Sequence, residues 1–180
     1  MRNITLIGMP GCGKSTLGRL LAHRLGYEFV DCDVTIESSG QTLQQIIDEK
    51  GEEGFLRVEE AILLALGGER KVFSPGGSCV LSQHAMEHLR RTSLVVFIDV
   101  PLQVLQKRLA PENIDMRGII GLRKKPLEEL FFYRRPLYLE YAHLVVNLDE
   151  KPIQESLDIL MNIITRAGIV EYWGIETSKV

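Results

Sequence analysis

Eight residues near the amino terminus, Gly8-Met9-Pro10-Gly11-Cys12-Gly13-Lys14-Ser15, have the spacing of a phosphate-binding loop: a glycine, four variable residues, then Gly-Lys-Ser. Glycines at 8, 11 and 13 let successive backbone N–H groups turn inward at phosphate oxygens. Lys14 would reach the β- and γ-phosphates as a mobile point charge. The Ser15 hydroxyl would hold Mg²⁺, a hard cation that prefers oxygen ligands and keeps several waters. Gly11, Cys12, Gly13, Lys14, Ser15 and Thr16 are therefore the expected nucleotide-binding set, and a Mg-nucleotide is the expected phosphoryl donor.

A second group of residues speaks to the acceptor. An acceptor alcohol must be held by its other polar groups while a carboxylate takes its proton, and Asp33 is placed for that task. Asp31 and Asp33 sit two apart at the end of a short strand candidate, so both should point to the same side of the sheet. Arg57 lies amid apolar residues in Phe55-Leu56-Arg57-Val58-Glu59-Glu60, and Arg134 heads Arg134-Arg135-Pro136-Leu137-Tyr138. Two guanidinium groups converging on one pocket, with Gly76 and Gly77 beside them, would suit an anionic acceptor held by its carboxylate.

These residues need a frame. Ile4 to Ile7 forms an apolar strand before the loop, and Leu17, Leu20, Leu21 and Leu25 follow it at helical spacing until Gly26. Further strands are expected at 28–30, 71–74, 94–98 and 144–146. Helices are expected at 43–50 (closed by Gly51), 54–66 (closed by Gly67-Gly68), 82–89 (capped by Ser82), 101–109, 126–141 and 152–167. Residues 110–126, with Pro111, Gly118, Gly121 and the cations Arg117, Arg123, Lys124 and Lys125, read as a lid. Alternating strands and helices predict an α/β fold: three layers, α/β/α, around a five-stranded parallel sheet, as one domain over 1–168 with a tail over 169–180. Ligands in such folds bind beyond the carboxyl ends of the strands, where the loop, Asp31, Asp33, Gly76 to Ser78 and Asp99 all fall.

Composition removes other classes. The 180 residues carry a formal net charge of -3, so no bulk field favours nucleic acid. No apolar run approaches the length of a membrane span, and Met1-Arg2-Asn3 runs directly into the first strand without a secretory leader. Three cysteines, Cys12, Cys32 and Cys79, have neither an even count nor metal-site spacing, which points to a reducing cytoplasm. No Asn-Lys-x-Asp segment is present to read guanine, and a motor would need more than one domain. His23, His84, His88 and His143 are scattered, and Phe131, Phe132, Tyr133, Tyr138 and Tyr141 read as core and pocket wall. A monomer acting on a small molecule is the expectation.

The ordered set Gly8 to Thr16, Asp31-Cys32-Asp33, Gly51 to Glu60, Ser74-Pro75-Gly76-Gly77-Ser78 and Arg134 to Tyr138 closely resembles the shikimate kinases over roughly residues 3–165. The resemblance implies ATP-dependent phosphorylation of the shikimate 3-hydroxyl in a P-loop kinase fold, related to the nucleoside monophosphate kinases, with a mobile lid. It implies that Asp33, Arg57, Gly77 and Arg134 hold shikimate, that Ser15 ligates Mg²⁺ directly and Asp31 through water, and that Arg117 stabilises charge on the transferring group. It also places Arg108 and the 147–152 turn against adenine. Ser78 replaces a third glycine, Gly118 replaces a lid proline, and Arg117 is spaced differently from Arg108 than in the family. Two other readings stand beside this one: a kinase of another small hydroxy acid such as gluconate, and a non-catalytic nucleotide-binding module.

Overall fold

The structure, a computed structural model, describes residues 3–109, 119–122 and 125–166. A parallel sheet of five strands, β1 (Asn3–Ile7), β2 (Glu28–Asp31), β3 (Lys71–Ser74), β4 (Ser93–Asp99) and β5 (Leu144–Asn147), runs in the order β2-β3-β1-β4-β5. The two central strands that read as continuous apolar runs, β1 and β4, are buried along their whole length. That is how a strand covered on both faces by helices must read. The edge strands β2 and β5 are only partly buried.

Helices α1 (Lys14–Leu25), α2 (Cys32–Glu37), α3 (Leu43–Ala65), α4 (Gln83–Thr92), α5 (Leu102–Arg108), α6 (Leu127–Tyr141) and α7 (Ile153–Arg166) supply the covering layers. Their ends follow local chemistry. Gly26 closes α1 in the left-handed region at φ 65, with its N–H on the carbonyls of Ala22 and His23. Thr42 and Gln45 form a capping box at the start of α3, and Ser82 caps α4 through the N–H of Ala85. The two helices expected on either side of Gly51 run together as α3 but break at that residue, whose φ 72 and ψ 173 are not helical. Helix α4 extends three residues past Leu89.

One expectation about the fold needs correction. Asp31 and Asp33 do not alternate along a strand, because the chain turns into α2 at Cys32. Asp31 is the N-cap of that helix and its Oδ1 accepts from the Asp33 N–H at 3.2 Å. Short-range capping won over strand propagation, and no periodic signal announces a helix of six residues. The tail over 169–180, and residues 110–118 and 123–124 of the expected lid, lie outside the described residues.

The main core packs both faces of β1 and β4. A second, smaller cluster of Ile36, Leu43, Ile46, Phe55 and Ile120 ties α2, both arms of α3 and the far end of the lid region to one another. Chain direction sets the cleft. From β1 the chain travels over β3 to reach β2, and from β3 it travels over β1 to reach β4, so the loops after these neighbouring strands part and leave a crevice.

Candidate active site

The phosphate loop leaves β1 beneath β4. A Cβ on Gly8, at φ 150, would stand 2.7 Å from the Ile98 carbonyl oxygen, so only glycine lets the loop turn here. Gly13, at φ 96, is the N-cap of α1, and that helix aims its positive end into the crevice. The Lys14 ammonium donates to the carbonyls of Gly8 (3.0 Å) and Met9 (3.2 Å), which holds it inside the loop. Arg108, from α5, lies across the loop with Nη1 donating to the Gly11 carbonyl at 3.3 Å.

The Ser15 Oγ lies 3.3 Å from the Oγ of Ser74, and Ser74 stands opposite Asp31 in the β2–β3 register. Ser15 and Asp31 thus flank the same residue at the base of the crevice. Among the described residues no three His, Cys, Asp or Glu side chains cluster as a metal cage. One hydroxyl and one nearby carboxylate fit Mg²⁺, which takes most of its ligands from phosphate and water.

The acceptor end is built by four elements. Asp33 comes from the first turn of α2, and burial pushes its carboxyl up to about 6, with Asp31 and Glu37 adding to the rise and Lys14 opposing it. The loop after β3 carries Gly76 and Gly77. A Cβ on Gly77 would strike the Pro10 ring at 2.6 Å, so the phosphate loop and the acceptor loop are in direct contact. From α6, Arg134 Nη1 donates to the Gly77 carbonyl at 3.3 Å and Nη2 to the Ile120 carbonyl at 2.8 Å. One helical turn on, the Tyr138 hydroxyl donates to the same Gly77 carbonyl, while its ring stacks on Phe97 of β4 with centroids 5.1 Å apart.

A cleft of about 520 Å³ joins the two ends. Gly11, Gly13, Lys14, Ser15, Thr16 and Arg108 line its donor side, and Asp33, Gly76, Gly77, Ser78 and Arg134 line its acceptor side. A side chamber lined by Cys12, Thr16, Arg108, Leu148 and Asp149 opens beside it, which brings the 147–152 turn to the loop.

The structure does not bring every expected residue into the cleft. Arg57 is exposed and absent from the lining, so the two arginines do not converge. The reason is helical phase. Phe55, Glu59 and Leu63, four residues apart, form the buried stripe of α3, and Arg57 stands half a turn away from it. Arg117 and Gly118 lie outside the described residues. Asp99 stands apart from the chemistry: Arg135 grips it with two nitrogens, the shorter contact 2.7 Å, so Arg135 is tied down rather than a free surface cation.

Glu59 was missed. It is 2 % exposed, and burial pushes its carboxyl up to about 7, against the opposing hydrogen bond from Ser78 and with Asp33 adding to the rise. Its signal was available: a glutamate on the apolar stripe of a helix is a misplaced charge unless something needs it.

Comparison with known proteins converges on one family. Residues 10–165 match the shikimate kinase family, SKI. A shikimate kinase from Symbiobacterium thermophilum is 36% identical over 171 residues, 92% of this chain and 98% of that one. The shikimate kinase of Acinetobacter baumannii, solved in complex with shikimate, superposes with a TM-score of 0.83 at 30% identity, covering 93% of this chain and 94% of that chain. A gluconokinase from Sinorhizobium meliloti reaches a TM-score of 0.52 at 18% identity, covering 97% of this chain and 98% of that chain, a likeness of fold alone.

Proposed function

The chain belongs to the shikimate kinase family, and on that footing we propose that it transfers the γ-phosphoryl group of ATP to the 3-hydroxyl of shikimate, giving shikimate 3-phosphate and ADP. The observation that carries this reading is the direct contact of two loops in one cleft, Pro10 of the phosphate loop against Gly77 beside the buried Asp33. Phosphoryl transfer asks the protein mainly to align and neutralise, and that contact sets donor and acceptor end to end.

In this reading Lys14 leaves its loop carbonyls for the β- and γ-phosphates, and Arg108 covers the nucleotide from above. Asp33, which is mostly ionised at neutral pH with its carboxyl at about 6, accepts the proton of the attacking hydroxyl. Arg134 faces the acceptor carboxylate, its Nε buried and without a partner among the described residues. Arg57 reaches that carboxylate only when the arm of α3 that carries it moves inward, and Arg117 arrives from the lid. Ser15 would hold Mg²⁺ directly and Asp31 through water; when bound, the ion neutralises charge on the phosphate oxygens.

Supporting observations extend to the surroundings. All three cysteines are free and buried, which suits a reducing cytoplasm, and among the described residues no helix is long and apolar enough to cross a membrane.

The test is an acceptor screen that reads ADP release from Mg·ATP with shikimate, quinate and gluconate. Shikimate should exceed the others by at least about a hundredfold in kcat/KM, as expected of a site that hydrogen-bonds its substrate. Preference for gluconate would transfer the assignment to the other hydroxy-acid reading, and no acceptor-dependent turnover at all would favour a non-catalytic module.

A further inference from the structure

The loop that cradles phosphate also brings a thiol and an amine together. Lys14 Nζ donates to the carbonyls of Gly8 and Met9 and, more weakly, to Cys12 Sγ at 3.8 Å. Its three donors therefore have three partners within one loop, and one of those partners is a nucleophile. The sulfur is fixed from its other side by Gly8, where an added Cβ would stand 3.0 Å from Sγ. Phosphate binding uses the backbone N–H groups of this loop and leaves the Cys12 side chain without a task.

Access separates this cysteine from the other two. Cys12 is 2 % exposed, yet it lines the side chamber of about 310 Å³ that opens beside the cleft, which has room for a small hydroperoxide. Cys32 and Cys79 line neither the cleft nor that chamber. Burial pushes both of their thiols up, and neighbouring carboxylates add to the rise, so they stay protonated and unreactive. Cys12 combines an entry path with an amine in contact.

We propose that Cys12 and Lys14 form an oxidative modification site, in which a hydroperoxide converts the thiol to a sulfenic acid and the Lys14 amine captures it as a sulfenamide. In the first step the peroxide O–O bond breaks, one oxygen passes to Sγ, and the peroxide leaves as its alcohol or water, having taken two electrons from sulfur. In the second step the N–S bond forms and the sulfenic S–O bond breaks. The departing hydroxyl leaves as water with one proton of the ammonium, and a second proton goes to solvent. Rotation about the four-carbon stem of the lysine closes the gap. The link withdraws Lys14 from the phosphates and so turns the protein off. Two molecules of a small thiol reverse it, cleaving the N–S bond and becoming a disulfide. Bound nucleotide draws Lys14 away from the sulfur and protects it, a consequence that rests on the donor assignment above.

The experiment treats the protein with hydrogen peroxide, quenches it and digests it with trypsin in the absence of reductant. A linked Lys14 is no longer a cleavage point, so residues 3–19, which run from the bond after Arg2 to Arg19, should appear as one peptide. That peptide should be lighter by two hydrogen atoms than its reduced, uncut form, and dithiothreitol should make it cleavable at Lys14 again. Activity with ATP and shikimate should fall in step with the peptide and return with the reductant. Cys12→Ser, compared with its own untreated activity, should inactivate at least about tenfold more slowly than the wild type. A non-hydrolysable ATP analogue with Mg²⁺, at about a hundred times Kd, should slow inactivation of the wild type by about a hundredfold. Inactivation with Lys14 still cleaved, equal sensitivity in Cys12→Ser, or no protection by a bound analogue would each overturn the proposal, as would a treated protein that stays fully active with an unchanged peptide map. If the analogue does not bind or shikimate is not phosphorylated, the assignments above fall by themselves, and the peptide map of the free protein still decides whether the link forms.

Discussion

Asp33 and Glu59 both lie beside Gly76 and differ in what burial asks of them. The charge of Lys14 opposes the rise of the Asp33 carboxyl, which stays at about 6, so Asp33→Asn should lower kcat by at least about a hundredfold, the usual range for loss of a general base, while ATP binding persists. Steady-state kinetics beside an ATP titration checks this; an unchanged kcat would remove Asp33 from the proton transfer. Glu59 makes a stability prediction instead. Its carboxyl rises from an ordinary 4.5 to about 7 in the folded chain, so the folded state binds more protons than the unfolded one between those values. Its contribution to stability is complete below about pH 4.5 and is lost as pH climbs through 7, a cost of about 3 kcal/mol by the linkage relation. Denaturant unfolding across pH 5 to 8 should show a steeper loss of stability in the wild type than in Glu59→Gln, which keeps only the smaller loss due to Asp33. At this scale the sequence was partly legible. The segments that carry Asp33 and Arg134 are local motifs visible in the sequence, whereas the outward phase of Arg57 and the inward phase of Glu59 depend on how α3 packs.

Helix α6 shows an element serving as a clamp. Arg134 and Tyr138, one turn apart, both donate to the Gly77 carbonyl, and the Tyr138 ring braces the clamp against β4. Tyr138→Phe keeps the stack and removes one donor, so it should cost about 1 kcal/mol of stability and raise the acceptor KM more than the ATP KM. Thermal unfolding and two-substrate kinetics together check it; an equal rise in both KM values would mean that the clamp is not specific to the acceptor loop. Pro136 sits inside this helix, and its fixed ring is tolerated on the exposed side. Most elements were readable from capping residues, glycines and period: β3 spans the expected 71–74, and α1 stops at Gly26. Helix α2 was not, because six residues are too few for a period and the aspartates that shape it also fit a strand end.

As a whole molecule, the protein is a crevice between two loops whose ligands should hold it together. Binding to the folded state alone stabilises by mass action, about 2.7 kcal/mol at a hundred times Kd, which for a domain of this size raises Tm by about 5 to 10 °C. A non-hydrolysable ATP analogue with Mg²⁺, and shikimate, should each produce such a rise in a thermal scan; stabilisation by the nucleotide alone would count against the acceptor site. The strand order β2-β3-β1-β4-β5 explains why the phosphate loop and the loop after β3 flank one crevice, since it parts the chain after β1 and β3. By itself the sequence determined the α/β class and the phosphate loop, because strand and helix signals and the glycine-rich motif are each written in residues close together in the chain. Only the tertiary structure decided that Arg57 faces outward, that Glu59 and Ser78 join Asp33 around Gly76, and that Pro10 meets Gly77. Those are facts of helical phase and long-range packing, which arise when segments distant in the chain are laid against one another.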